Sequence, residues 1–455
     1  MRVILLNLPW EQNGRLGVRA GSRWPFTSKP EKDGHIHYLP FPFFLAYATS
    51  ILKKNGHEAK LIDAIAEGVP EQRLFERLGS FHPELILAEI STPSFNNDMR
   101  ILQAIHQNFS HAKIALCGPH ASVFPQQILT EYTYIDAILI GEYEYTLLDF
   151  AQHLEEQGDM KSVLGLAYRK DGNVALNKPR PTIRNLDTLP WPEREDVPLY
   201  NYNDAFCNLP IPNVQILSSR GCPFRCIFCL WPQTVYKEHR YRKRSPKDVI
   251  DEMKYLITKF HFKAVYFDDD VFNIDRGHVI GVCAEIKRRE IDIPWAVMGR
   301  ADLFDTQTLA GLADAGLYAI KYGIESASHR ILRACRKKLD LLKTQDMIKV
   351  TKELGIKVHL TFCLGLPGET QESIKESIKF ISETQPDSYQ FSFATPFPGT
   401  EYFKFLYEKG WLEKTSWSSY DGSQRCVVRT EALTKDNIES IKEELSNLNT
   451  LCAKR

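Results

Sequence analysis

The sequence predicts an α/β protein in two parts: an N-terminal doubly wound parallel sheet, then a partial barrel of six strand–helix units. Three observations lead there. From Met1 to about Glu155, short β-branched runs alternate with helical patterns. A stretch without that alternation follows, holding Pro179, Pro181, Pro190, Pro192 and Pro198. From Asn213 onward, six apolar runs each end in a polar or glycine-rich loop. The expected divisions are a sheet domain at 1–157, a linker at 158–212, a barrel at 213–430 and a C-terminal helix at 431–455.

In the first part, strands are expected at Arg2–Leu8, Glu58–Ile62, Glu84–Ile90, Lys113–Cys117 and Ala137–Ile140. Helices are expected at Pro42–Lys54, Glu71–Leu78, Asn97–Asn108 and Thr146–Glu155. In such sheets ligands lie beyond the carboxyl ends of the strands. Those ends are small and polar: Asn7, Ser91 with Thr92, Gly118 with His120, and Gly141 with Glu142. Small side chains let a flat, bulky ligand approach the backbone. No Gly-x-Gly-x-x-Gly follows the first strand, which argues against a dinucleotide. The segment 14–38 carries few helix or strand signals but holds Arg19, Arg23 and Trp24, so it reads either as an ordered loop reaching the site or as a surface excursion.

In the linker, runs around Val163–Arg169 and Val174–Ala175 flank Asp171-Gly172, a hairpin signal. The barrel strands are expected at Asn213–Leu217, Lys263–Phe267, Trp295–Met298, Tyr318–Tyr322, Lys357–Cys363 and Ser388–Phe393. In a parallel barrel the loops after the strands build the chemistry. Here they begin Asp268-Asp269-Asp270, Gly299-Arg300, Gly323-Ile324-Glu325-Ser326 and Gly365-Leu366-Pro367-Gly368-Glu369. The run Arg240, Arg242, Lys243, Arg244 reads as a solvated face, or else as charge balance for a bound anion. Tyr389 and Phe391 alternate on the last strand and are candidates to line a cavity. A terminal amphipathic helix is expected at Asp436–Leu451, with no capping domain after it.

Fifty-seven basic residues balance fifty-seven acidic ones, which argues against coating nucleic acid or acidic lipid. No apolar run approaches the ~18 residues of a membrane span, and the first residues lack a signal-peptide pattern. A cytoplasmic location is the default expectation. Ten cysteines in a chain this long read as metal ligands and buried thiols. Cys335 and Cys363 are also weighed as an acid or hydrogen donor facing a substrate.

Three of the ten stand together in Ser218-Ser219-Arg220-Gly221-Cys222-Pro223-Phe224-Arg225-Cys226-Ile227-Phe228-Cys229. Thiolates are soft ligands that suit iron–sulfur clusters, zinc or copper(I). A zinc loop would use two- or four-residue gaps and a second ligand pair downstream, and no further Cys-x2-Cys or His-x3-His follows. Three sulfurs on one loop can hold three corners of a cubane cluster and leave the fourth open. This spacing, with Phe228 before the last cysteine, resembles the radical S-adenosylmethionine (SAM) superfamily. The Asp-Asp, Gly-Ile-Glu-Ser and Gly-Leu-Pro-Gly-Glu motifs follow in that family's order, across the whole second half. Ala327 stands where family members often carry glycine. The first half is similar to the cobalamin-binding domain found ahead of many such barrels.

The resemblance implies a [4Fe–4S] cluster on Cys222, Cys226 and Cys229, with SAM on the free iron. It also implies Asp268 and Asp269 near the SAM amine, Arg300 at its carboxylate, Glu325 and Ser326 at ribose or carboxylate, and Gly365 along the adenine. Asn7, Ser91, Thr92, Gly118, His120, Gly141 and Glu142 become candidate cobalamin contacts, although His120 also fits a turn histidine bonded to backbone. Asp33-Gly34-His35-Ile36-His37-Tyr38 begins like the Asp-x-His-x-x-Gly cobalt-ligand motif, but Tyr38 stands where glycine is needed. His35 is therefore read as a loop histidine. The implied activity is methylation of an unactivated carbon of a small metabolite, through a 5′-deoxyadenosyl radical and methylcobalamin. An electron donor such as flavodoxin or ferredoxin would serve it. An oxidative cyclase with the same cofactors and a non-catalytic cobalamin or redox sensor are the rivals.

Overall fold

A computed structural model describes residues 1–30 and 38–452, so His35 lies outside the described residues. Strand β1 (Arg2–Asn7) is buried from Val3 onward, as a strand covered on both faces must be. It is followed by a small antiparallel sheet of β2 (Glu11–Gln12), β3 (Arg15–Val18) and β4 (Phe26–Ser28). The segment after β1, which carries few strand signals, is thus ordered by pairing, and Arg19 and Arg23 stand in the turn between β3 and β4.

The main sheet continues with β5 (Glu58–Asp63), β6 (Leu85–Glu89), β7 (Lys113–Cys117) and β8 (Ala137–Leu139). The hairpin β9 (Leu166–Lys170) and β10 (Asn173–Leu176) turns at Asp171 and Gly172, both at positive φ. It does not stand in the linker: β9 pairs antiparallel with β8 and extends this sheet. The order is β10-β9-β8-β7-β6-β1-β5, parallel from β5 to β8. The chain first adds β5 on one side of β1 and then β6 on the other. The crevice between the carboxyl ends of β1 and β6 is therefore the topological switch point.

The second sheet runs β11 (Asn213–Ile216), then β14 (Ala264–Phe267), β15 (Trp295–Gly299), β16 (Leu317–Glu325), β17 (Lys357–Leu364) and β18 (Ser388–Phe393), all parallel. Between β11 and β14 a two-stranded ribbon forms from β12 (Ser219–Arg220) and β13 (Arg242–Lys243). Among the described residues β11 and β18 are not paired, so the barrel is open. Caps fix where its helices begin. Ser245 accepts the N–H of Asp248 ahead of Pro246, Asp275 that of His278, and Thr370 forms a capping box with Ser373. The terminal helix is Lys435–Cys452. One continuous apolar core joins both halves, and no helix among the described residues is long and apolar enough to cross a membrane.

Candidate active site between the two sheets

The cysteine loop leaves β11 and ends in the short helix Leu230–Thr234. Its backbone is held at nearly every step. The Asp269 carboxylate accepts the N–H groups of Ser218 and Ser219 (2.8 and 2.9 Å) and the Ser218 hydroxyl. Asp270 accepts the N–H of Gly221 at 2.7 Å and the Tyr236 hydroxyl at 3.1 Å. Gly221 sits at φ +87°, where a Cβ would meet the Arg240 carbonyl at 2.1 Å, so only glycine fits beside the ribbon. Ile227 donates to the Cys335 carbonyl (3.1 Å), and Gln233 reaches the carbonyls of Ile227 and Cys229. Cys335, more than a hundred residues away in sequence, thus packs against the loop in space.

The Cys226 thiol is lowered to about 7, first by the hydrogen bond from Cys229 and then by Lys337 and Arg300, against the effect of burial. The same bond, with burial, raises Cys229, and burial pushes Cys222 up to about 12. Among the described residues no three histidine, cysteine or acidic side chains converge as ligands of a single ion would. A cubane asks for a different arrangement, thiolates spread over separate iron corners, and three cysteines on one pinned loop meet that need.

The other predicted residues gather at the same barrel edge, mostly with protein partners of their own. Asp268 pairs with Arg23 (2.9 Å), which also binds Asp270 (2.7 Å) and lies 4.7 Å over the Trp231 ring. Burial raises Asp268 and Asp269 to about 6, while Arg23 pulls Asp268 and the Ser218–Ser219 bonds pull Asp269 back down. Arg300 is not an open fork: it grips Asp302, donates to the carbonyls of Lys337 and Lys338, and stacks 3.9 Å over Phe224 of the cysteine loop. Glu325 stands at a bulge of β16 with φ +67°, a strained backbone for a glutamate. It binds the buried Lys337 at 2.8 Å and accepts from the Cys363 thiol at 3.2 Å. Ser326 is buried beside it and accepts the Ser328 N–H. Gly365, at φ +93°, gives its N–H to Glu369, and its carbonyl accepts the Tyr402 hydroxyl. Burial lifts the Glu369 carboxyl to about 8.

Two expectations are corrected. Tyr389 and Phe391 pair in register with Leu360 and Phe362, and Phe391 stacks on Phe362 at 5.0 Å. That face of β17 and β18 turns away from Glu325 and Cys363, whereas Gln390 and Ser392 share register with Thr361 and Cys363. The basic run is a solvated face only at Arg240 and Lys243: Arg242 and Arg244 are buried and pair with Glu142 and Glu252 at 2.7 and 2.5 Å.

At the first sheet's carboxyl edge, Asn7 donates to Asp63 and accepts from Arg19 (both 2.8 Å). Arg19 crosses the switch-point crevice to Ser94, Asp98 and the Leu8 carbonyl. Ser91 bonds Ser94, and Thr92 meets Nδ1 of His120 at 3.1 Å. The His120 ring is wedged among Phe95, Phe124 and Trp417, with centroids 4.5 to 5.4 Å away. Burial holds it neutral, with its pKa lowered to about 3. Gly118, at φ +96°, has the Ile90 carbonyl 2.6 Å from where a Cβ would stand, so close strand packing alone requires glycine. A Cβ on Gly141 would meet the Val235 carbonyl at 3.0 Å, just past the helix that follows Cys229. Glu142 is no open contact either. Buried as it is, it is held ionised by Arg220 (3.1 Å) and Arg242, and Arg220 also binds the buried Glu144 at 2.6 Å.

Asp270, Tyr236 and Lys337 are site residues that sequence reasoning missed, whereas Arg19 and Arg23 bear out the reading of their segment as an ordered loop that reaches the site. Asp270 had a signal, as the third aspartate of its run; Lys337 had none. The edge still suits a corrin. It lies at a switch point, is built of small and polar residues, and abuts the segment after the cysteine loop.

Comparison with known proteins agrees. Residues 216–381 match the radical SAM superfamily and residues 34–151 the B12 binding domain. The uncharacterized methyltransferase PH0819 of Pyrococcus horikoshii is 29% identical over 400 residues, 88% of this chain and 85% of that one. The anaerobic magnesium-protoporphyrin IX monomethyl ester cyclase of Cereibacter sphaeroides is 28% identical over 87% of this chain, which spans 65% of its length. The solved radical SAM methyltransferase TsrM of Kitasatospora setae superimposes with a TM-score of 0.71 at 20% identity, over 90% of this chain and 76% of that one, and so shares the fold. The chain thus carries a B12-binding domain followed by a radical SAM domain, with [4Fe–4S] cluster, SAM and cobalamin as the cofactors of those domains, and is similar along most of its length to cobalamin-dependent radical SAM proteins.

Proposed function

We propose that this enzyme methylates an unactivated carbon of a small metabolite. When bound, the cofactors supply reductive cleavage of SAM and a corrin-borne methyl group. In this reading Cys222, Cys226 and Cys229 would give three thiolates to the cluster, and Glu325, Ser326 and Gly365, with Asp268, Asp269 and Arg300, would hold SAM. Asn7, Ser91, Thr92, Gly118, His120 and Gly141 would build the edge that holds the corrin. The chain's own part is to hold donor and acceptor in register and exclude water and stray thiols. The observation that carries the proposal is the joining of the two edges, with Gly141 against Val235 and Glu142 paired to Arg220 ahead of the cysteines. A flavodoxin or ferredoxin is the proposed electron source.

Anaerobic protein should bind corrin and show iron–sulfur absorbance. If that absorbance survived Cys222→Ala, Cys226→Ala, Cys229→Ala together, the cluster assignment would be rejected. The match to the cyclase over most of the chain favours oxidative cyclisation as a second reading. Product mass separates them: methylation adds one methyl and cyclisation removes hydrogen. Reduced protein that forms no 5′-deoxyadenosine from SAM would be a sensor instead.

A further inference from the structure

The turn between β3 and β4 carries two arginines that face opposite ways. Arg19 is locked into the first sheet's switch point by Asn7, Ser94, Asp98 and the Leu8 carbonyl, and is buried. Four residues later, Arg23 is locked to the barrel by Asp268, Asp270 and Trp231. The turn itself is stiff. Ser22 N–H closes on the Arg19 carbonyl at 2.7 Å, and Gly21, at φ +77°, has the Phe41 carbonyl 2.1 Å from the Cβ it lacks. Asp270 then passes the connection on, through the N–H of Gly221, to the residue before Cys222. Four residues of extended chain reach at most about 14 Å, so the two anchors are held within one short strut.

We propose that Arg23 is a positioning residue that, with Arg19, fixes the corrin-facing edge of the first sheet relative to the cysteine loop. It would thereby set the mutual placement of the two cofactors. This rests on the assignment of the cluster to the loop and of the corrin to the edge. The chemistry is a charge-assisted fork: Arg23 spans Asp268 and Asp270, and the other oxygen of Asp270 holds the Gly221 N–H, a task a lysine's single ammonium does only in part.

The test uses anaerobic holoenzyme loaded with cobalamin and iron–sulfur cluster, comparing wild type, Arg23→Gln and Arg23→Lys. The readouts are iron per chain, corrin per chain, and the broadening of the cob(II)alamin electron paramagnetic resonance lines by the reduced cluster. In Arg23→Gln both cofactors are expected to remain at wild-type stoichiometry while the broadening falls at least twofold and becomes heterogeneous. Arg23→Lys should recover part of it. Wild-type broadening in Arg23→Gln at equal loading overturns the strut. Should that variant fail to take up iron, Arg23→Lys decides alone: reduced broadening supports the strut and unchanged broadening overturns it. Wild-type protein with no iron in the loop, or no corrin, rejects the cofactor assignment itself rather than the role of Arg23.

Discussion

Replacing Arg220 by methionine should cost the enzyme up to about 4 kcal/mol, because Glu144 is left with a buried charge and no ion-pair partner among the described residues. The arginine is almost wholly enclosed and is shared by Glu142 and Glu144. Glu142 keeps Arg242 at 2.7 Å, but Glu144 loses its one ion pair among the described residues, where its second oxygen has no hydrogen bond either. Glu144 is already raised by burial more than Arg220 lowers it. Without the arginine it would take up a proton. From an ordinary carboxyl pKa of about 4.3 to a working pH of about 7.5 is roughly three units, or ~4 kcal/mol at ~1.4 kcal/mol per unit. That agrees with the ~3–5 kcal/mol typical of breaking one side of a buried pair. In the variant the folded carboxyl titrates above the unfolded one, so the penalty is full at high pH and shrinks as pH falls towards about 5. Thermal unfolding of anaerobic protein at two pH values measures it, with a fall of up to roughly 4 °C expected near neutrality. Adding Glu144→Gln should restore most of the loss. A single variant within ~1 kcal/mol of wild type, or a double variant no better than the single, would refute the argument.

Other outcomes follow from single features. Gly118→Ala should destabilise by about 3 kcal/mol, from the Ile90 carbonyl contact and the positive φ. Corrin bound per folded chain should fall less than stability does, because the glycine serves packing. His120 is neutral in the fold and charges in the unfolded chain below about pH 6.5. Its contribution is therefore intact above that pH and is lost at up to ~1.4 kcal/mol per unit as pH falls towards its folded value. His120→Leu should flatten the acid limb of a denaturant-midpoint profile between pH 6.5 and 5 by about that slope. Lys337→Met should leave the half-buried Glu325 without its cation. Weaker SAM-induced change in the cluster's paramagnetic spectrum is the expected readout, and an unaltered response would sever Glu325 from SAM.

The strands were legible because burial on both faces writes itself as a continuous apolar run, as in Lys113–Cys117, and burial on one face as alternation, as in Ser388–Phe393; both stand where the pattern puts them. The loop motifs were legible by type, for the same reason that polar residues collect where strands end. What could not be read was which charge answers which. Arg23 meets Asp268 across 245 positions and Arg220 meets Glu142 across 78, and a buried ion pair leaves no periodic trace in either partner's neighbourhood. Arg242 and Arg244 illustrate the cost, since a basic run reads as solvated until its carboxylates are found. The face of Tyr389 was lost to a smaller effect: strand alternation gives two sets of side chains but not which set points inward.

The closing of the first sheet onto the helix after Cys229 has a consequence for traffic. A clamshell motion of the two halves would pull apart Arg220 from Glu142 and Glu144, Arg242 from Glu142, and Arg23 from two aspartates. Every one of those tethers ends within a few residues of the cysteines or their supports. Opening by that hinge would pull on the cysteine loop each turnover. The seam where β11 and β18 do not pair among the described residues crosses none of those tethers.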